Sequence, residues 1–308
     1  MGPQTRATGD AAPFVVYPLR EMSIETTASA PPAALAYVES VVRRSGSSFS
    51  AAMRRLPTDK RNAMFAVYAF CRHVDDVADE PGEEADKLAR LAEWRGEIEN
   101  LYAGRPQHLI ARALAAPVVR FGLDKQDFLA VIDGMEMDAG RSLRITDWDH
   151  LGLYCDRVAC AVGRLSNRVF GIDDETGTRV ARALGEALQL TNILRDVDED
   201  ARSDRLYLPQ DMLRKHGITE TDADAVLAHR NLPEVCAEVA VIAQGRFDEA
   251  AALLATCDRR RMRPAIMMME AYRRLFVGLS RRGWHDLDRP VKVSWTEKVW
   301  VMLRYGLF

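Results

Sequence analysis

Long apolar runs are missing from this 308-residue chain. No stretch approaches the ~18–20 residues needed to cross a bilayer, which argues against a helical membrane span. The start, MGPQTRATGDAAPFVVYPLREMS, lacks a basic segment followed by a long apolar core, so no secretory signal is read from it. Cysteine is scarce: Cys71, Cys155, Cys160, Cys236 and Cys257 make an odd number, and no CxxC occurs. A disulfide framework or a zinc site is therefore not expected, and a reducing, cytoplasmic compartment fits better. The six histidines are scattered, with no HExxH. A formal net charge of −3 offers no basic field for nucleic acid. Neither a GxxxxGK[ST] loop nor a GxGxxG after a strand is present, which disfavours P-loop and Rossmann chemistry. Alternating β-branched runs and hairpin dipeptides are also sparse.

What remains is helix. Residues 1–32 are rich in Ala, Thr and Pro without a period and read as a disordered leader. From about residue 33 apolar residues recur at helical spacing, as in Met64, Val67, Tyr68 and Cys71, and in Leu88, Leu91, Ile98 and Leu101. TDWDHLGLYCDRVACAVGRLSNRVFG opens on a Thr/Asp cap and stops at Gly171, a residue suited to end a helix. Residues 173–200, 234–256 and 264–282 read as further long helices. The pattern predicts one all-α domain over residues 33–290 and an amphipathic tail over 291–308. In that tail Trp295, Val299, Met302 and Leu303 share a side, suited either to the protein body or to a membrane surface.

Two acidic knots stand out. AFCRHVDDVADE (69–80) carries Asp75 and Asp79, and LQLTNILRDVDEDARSDRLYLPQD (188–211) carries Asp196 and Asp200, some 120 residues further on. On a helix, Tyr68, Arg72, Asp75 and Asp79 share one face, and Gln189, Asn192, Asp196 and Asp200 share another, with Arg195 at its flank. Like charges four apart cost a few tenths of a kcal/mol, roughly, and acids at a helix C-terminus oppose the macrodipole. Glu80/Glu84 and Glu93/Glu97 have the same spacing and read as solvated surface. Two matched pairs with arginines beside them suggest instead a shared hard cation. Mg²⁺ takes oxygen ligands and is often held by one or two carboxylates while phosphate oxygens and water complete its shell. Asn192 is a neutral oxygen ligand of the right kind, and Arg72 and Arg195 could hold phosphate oxygens. The metal-free alternative is that Arg72 simply neutralises Asp75 and Asp79.

These segments, with RSGSSFSAAMRRLP (44–57), GMEMD (134–138) and YCDRVACAVGRLSNRVFG (154–171), resemble the squalene/phytoene synthase family in order and across most of the chain. The last two look most like the members that make presqualene diphosphate for bacterial hopanoids; Asp156-Arg157 stands where phytoene synthases more often carry a Tyr pair. The resemblance implies an all-α isoprenoid (terpenoid) synthase fold with a central cavity, and head-to-head condensation of two farnesyl diphosphates. It implies Asp75, Asp79, Asn192, Asp196 and Asp200 as ligands of several Mg²⁺ ions, and Arg72, Arg195 and Arg289 as diphosphate contacts. Ser48 and Phe49 would line the diphosphate end, Tyr154 would stand by the reacting carbons, Tyr207 and Tyr272 near the diphosphates, and Gln189 toward the reacting centre. Asp138 is a further candidate. No nicotinamide requirement is expected. The alternatives are a phytoene synthase using geranylgeranyl diphosphate, a full squalene synthase with NADPH, and, in a different class, a non-catalytic helical scaffold. Met267, Met268 and Met269 read as core, and the basic run DRRRMR (258–263) as a solvated turn.

Overall fold

Helix starts and stops in this chain follow local chemistry. Asp147 accepts the His150 amide at 2.9 Å and opens a helix at Trp148, while Gly171, at φ +83°, closes one at Phe170. Pro32, Pro233 and Pro264 occupy the first two positions of their helices, where a missing N–H costs nothing. For the last two, the start falls one or two residues before that read from periodicity. The computed structural model describes residues 30–45, 48–292, 294 and 304, with the side chains of residues 48, 49 and 51 outside that description. Nearly all of the expected leader and most of the expected tail lie outside the described residues.

In chain order the helices are α1 (Pro32–Arg44), α2 (Ser48–Met53), α3 (Thr58–Asp79), α4 (Glu84–Tyr102), α5 (Leu109–Phe121), α6 (Lys125–Asp138), α7 (Trp148–Cys155), α8 (Ala161–Phe170), α9 (Asp174–Arg202), α10 (Gln210–Lys215), α11 (Ala223–Leu227), α12 (Leu232–Thr256) and α13 (Arg263–Arg282). A π-helical turn, Asp156–Cys160, joins α7 to α8. Periodicity read this stretch as one unbroken helix; the extra residue per turn is a common device at functional sites.

Helix α9 is the central element, packed against α8, the π-turn, α12 and α13. Small residues make this possible. A Cβ on Gly185 would lie 2.9 Å from Cys160 Sγ, and one on Gly163 3.0 Å from the Ala181 Cβ. A continuous core of Phe70, Phe128, Trp94, Ile98, Leu190 and Leu194 binds these layers together. Among the described residues the extended structure is one short parallel pair, Leu143–Arg144 with Arg205–Leu206. It follows a turn in which Asp204 takes φ +56°, held by Arg144. No helix among the described residues is long and apolar enough to cross a membrane.

One surface reading is corrected. Glu97 is 4 % exposed, not solvated, because its carboxylate accepts the amides of Gln107 (2.6 Å) and His108 (2.7 Å) ahead of α5. Glu93 is exposed, and Glu80 pairs with Arg90. Arg259, Arg260 and Arg261 are exposed around the Asp258 turn, as the sequence suggested, but Met262 of the same run is fully buried and Arg263 opens α13.

Candidate active site

Helices α3 and α9 wall a cavity of about 430 Å³. Its deep part is apolar, lined by Met64, Val131, Val162, Phe170, Val180 and Leu184. Its mouth is polar, with Arg72 and Asp75 from α3, Gln189 and Asn192 from α9, and Tyr272 from α13. The two predicted stripes therefore meet in one cavity through Tyr68, Arg72, Asp75, Gln189 and Asn192, whereas Asp79, Asp196 and Asp200 are not among its lining. Met268 also lines it, whereas Met267 and Met269 are buried in the core, so the methionine run divides between the two roles.

The charges are held in a definite pattern. Arg72 bonds Asp75 at 3.2 Å and Asp76 at 2.5 Å. It does not neutralise Asp79, which pairs with Arg205 at 3.4 Å. On α9, Arg195 grips Asp196 through two bonds of 2.7 and 2.5 Å, and lies within hydrogen-bonding reach of Tyr272. Asp75 is pushed up to about 7, first by loss of water and then by Asp79. Although 43 % of its side chain is accessible, it lines the walled cavity, where water is a poorer solvent for charge. Asp200 is likewise pushed up to about 7, by burial and then by Asp196.

Between the two knots sits a buried carboxylate. Asp138, the last residue of α6, is 7 % exposed and accepts the phenols of Tyr154 (2.9 Å) and Tyr207 (2.7 Å). The two rings lie 4.9 Å apart. Burial raises the Asp138 pKa, opposed by the two phenols and by Arg205, which also donates to the Asp138 carbonyl at 3.0 Å. Burial and then the Asp138 charge raise Tyr154 well above an ordinary phenol. The parallel pair delivers Arg205 and Tyr207 to this point. Sequence reading missed Arg205 and Asp76. The i, i+4 spacing of Arg72 and Asp76 was a usable signal for the second; nothing local announces a contact between residues 79 and 205.

The site residues are thus mostly gathered: Arg72, Asp75, Asp79, Asp138, Tyr154, Gln189, Asn192, Arg195, Asp196, Asp200, Tyr207 and Tyr272. Arg289 stands apart, exposed on the segment after α13 and not among the cavity lining. Ser48 and Phe49 begin α2, but their side chains lie outside the described residues.

The donor set suits a hard cation, being oxygen throughout. Asn192 Oδ1 is buried with no hydrogen-bond partner, and its amide nitrogen makes a long 3.4 Å bond to Gln189. An unsatisfied buried acceptor beside two carboxylate pairs fits a ligand position. Among the described residues, however, no three carboxylate, Cys or His groups already close on one point. Any ion would be completed by substrate oxygens and water.

A helical bundle around an apolar cavity, with a polar mouth beside two aspartate pairs carried on α3 and α9, defines an isoprenoid-synthase type of protein. Comparison with known proteins makes this specific: the chain belongs to the squalene/phytoene synthase family, whose model matches residues 42–297. It is 45 % identical over 262 residues to the presqualene diphosphate synthase of Sinorhizobium fredii, covering 85 % of this chain and 94 % of that one. The structure of a dehydrosqualene synthase superposes with a TM-score of 0.77 at 26 % identity, covering 89 % of this chain and 95 % of the other. Squalene synthase HpnC from Alicyclobacillus acidocaldarius gives 0.72 at 30 % identity, covering 85 % and 98 %.

Proposed function

We propose that this protein condenses two farnesyl diphosphates head to head into presqualene diphosphate, releasing one diphosphate and one proton. The observation that carries the reading is a cavity with an apolar depth and a polar mouth, where Arg72 and Asp75 of α3 meet Gln189 and Asn192 of α9, one turn before the Arg195–Asp196 pair. Similarity to a presqualene diphosphate synthase over most of both chains supports it.

Asp75, Asp79, Asn192, Asp196 and Asp200 would hold Mg²⁺, which when bound offsets the negative charge gathering on the departing diphosphate. The chain's own residues do the rest. Arg72 and Arg195 donate to diphosphate oxygens; each is already oriented by a carboxylate. Ser48 and Phe49 belong to the same proposed diphosphate end, as do Tyr207 and Tyr272; Arg289, which stands apart from the cavity, is left out of it. The apolar wall keeps water from the allylic cation until the 2,3-double bond of the acceptor reaches it. Gln189 faces the cavity with its amide dipole.

Loss of a proton then closes the cyclopropane. Tyr154 is a poor candidate for the base, because its proton is committed to Asp138 and burial holds the phenol neutral. The released diphosphate is the better acceptor. Tyr154, held by Asp138, would instead turn a fixed aromatic face toward the cation if it stands by the reacting carbons as the family resemblance implies.

The test is incubation with Mg²⁺ and farnesyl diphosphate, without NADPH, followed by mass spectrometry. A 30-carbon diphosphate is the expected product; no product from folded protein would sink the reading. Likeness to a protein named squalene synthase favours a second reading, in which the reaction continues to squalene. A parallel tube with NADPH decides between them. Cytoplasmic location, with residues 291–308 touching a membrane surface where a greasy product can leave, belongs to the same proposal.

A further inference from the structure

We infer that Phe170 is the chain-length stop of this cavity, setting a 15-carbon prenyl tail as the longest that fits. The inference rests on the proposed function for the class of substrate, and on the cavity itself for the limit.

The cavity has a direction. From mouth to floor its α9 wall runs Asn192, Leu188, Leu184, Val180, a stretch of about 18 Å. Phe170 closes the floor from the end of α8, 2 % exposed, with Val180 and Met64 sealing the sides.

Volume sets the limit. A protein cavity of roughly 150 Å³ accepts benzene, about 25 Å³ for each of its six carbons. At that density the 430 Å³ observed here holds roughly 17 carbons. That figure counts the polar mouth as well as the apolar depth and so sets an upper bound: a 20-carbon geranylgeranyl chain exceeds it, and a 15-carbon farnesyl chain does not. The cavity accounts for one of the two tails in the reaction, and the stop concerns that one.

The floor is also tied down. The Phe170 carbonyl accepts Lys60 Nζ at 2.7 Å, and the next carbonyl, of Gly171, accepts Arg261 at 2.9 Å. Asn167, buried and lining the same end, donates to the Gly177 carbonyl at 2.7 Å. These bonds fasten the end of α8 to α3, to the turn before α13 and to the start of α9. They fix the backbone that carries the ring, so a longer tail cannot move the floor away as a unit and must displace the ring into the packed core. Replacing Phe170 by Ala removes six carbons, about 150 Å³ by the same measure, which exceeds one five-carbon isoprene unit.

The experiment is titration calorimetry with farnesyl and geranylgeranyl thiodiphosphates in Mg²⁺ buffer, on wild type, Phe170→Ala and Phe170→Leu, with circular-dichroism melts to verify folding. Wild type should bind the 15-carbon probe at least about ten-fold more tightly than the 20-carbon probe. Both folded variants should bring that ratio close to one. Phe170→Leu keeps the core filled and decides the matter if the alanine variant unfolds. Equal affinity of wild type for the two probes, or a wild-type ratio in folded variants, would overturn the stop. Discrimination between the tails without any 30-carbon product from farnesyl diphosphate would overturn the proposed reaction and leave the stop standing.

Discussion

Tyr154 donates its phenolic proton to Asp138 across 2.9 Å in a site closed to solvent, and Tyr207 shares the same carboxylate at 2.7 Å. One buried charge thus orients two aromatic rings between the acidic ends of α3 and α9. Asp138→Asn keeps the shape but leaves one carbonyl oxygen for two donors. An unsatisfied buried hydroxyl costs about 1–3 kcal/mol, so the urea midpoint should fall accordingly. Adding Tyr154→Phe removes the orphaned donor, and the double variant should be no less stable than Asp138→Asn alone. Strict additivity in that cycle would mean the two side chains do not act together.

Asn192 carries a stability cost that a ligand would relieve. Its Oδ1 is buried without a partner. Asn192→Leu, close in volume, should raise the stability of metal-free protein by about 1 kcal/mol. The same change should lower Mg²⁺-dependent turnover about 10²-fold. EDTA should abolish turnover in wild type and excess Mg²⁺ restore it. Calorimetric melts with and without Mg²⁺ and a farnesyl thiodiphosphate give a further check: wild type should gain more on binding than the leucine variant. A leucine variant that is less stable without metal would remove the argument for Asn192 as a ligand.

Much of this site was readable in sequence because its parts are local. The Arg72–Asp75–Asp79 and Asn192–Asp196–Asp200 stripes need only helical period, and α3 and α9 supply it. Asp147 and Gly171 marked helix ends through capping chemistry that acts over one turn. What was hidden depends on long-range closure. Arg205 reaches Asp79 only because Arg205–Leu206 pairs with Leu143–Arg144, and a two-residue strand leaves no periodicity to detect. Glu97 looked like surface because its partners are backbone amides that no sequence pattern displays. The π-turn was missed because Asp156–Cys160 keeps the apolar spacing of an ordinary helix closely enough to pass for one.

Acid should weaken the fold through a histidine pair behind the site. His73 packs edge-on against Trp94 at 5.2 Å, and His108 lies 4.7 Å from the same ring and 5.4 Å from His73. Burial pulls each down to about 4, with Arg90 adding to the effect on His73, opposed by Glu80, and His73 adding to that on His108. In the unfolded chain both titrate near ~6.5. Their contribution is complete above that value and is lost as pH falls toward 4, where the unfolded state binds protons that the native state refuses. Asp75 and Asp200, raised to about 7, have the opposite sign and stabilise the native state over the same range. A comparison of wild type with His73→Phe isolates the histidine part. The variant should lose less melting temperature between pH 7 and 4, and parallel curves would count against the pair.

Two glycines in helices should respond oppositely to alanine. Gly96 on α4 has nothing within 4 Å of an added Cβ, so Gly96→Ala should stabilise by about 0.5–1 kcal/mol through helix propensity. Gly185 on α9 gains the same propensity but has no room. Its Cβ would meet Cys160 Sγ at 2.9 Å and the Cys160 backbone at 3.0 Å. A sulfur can rotate, but the backbone of a packed π-turn cannot, so α9 must shift. Overpacking of this kind costs roughly 1–3 kcal/mol, more than the propensity gain. Because Gly185 also lines the cavity, a shift of α9 away from the π-turn disturbs the spacing between Val158 and Ala159 on one wall and Gln189 on the other. Gly185→Ala should therefore lower both the denaturation midpoint and turnover, while Gly96→Ala raises the midpoint and leaves turnover unchanged. Equal stabilisation by both substitutions would mean that α9 and the π-turn are not in close contact at this point.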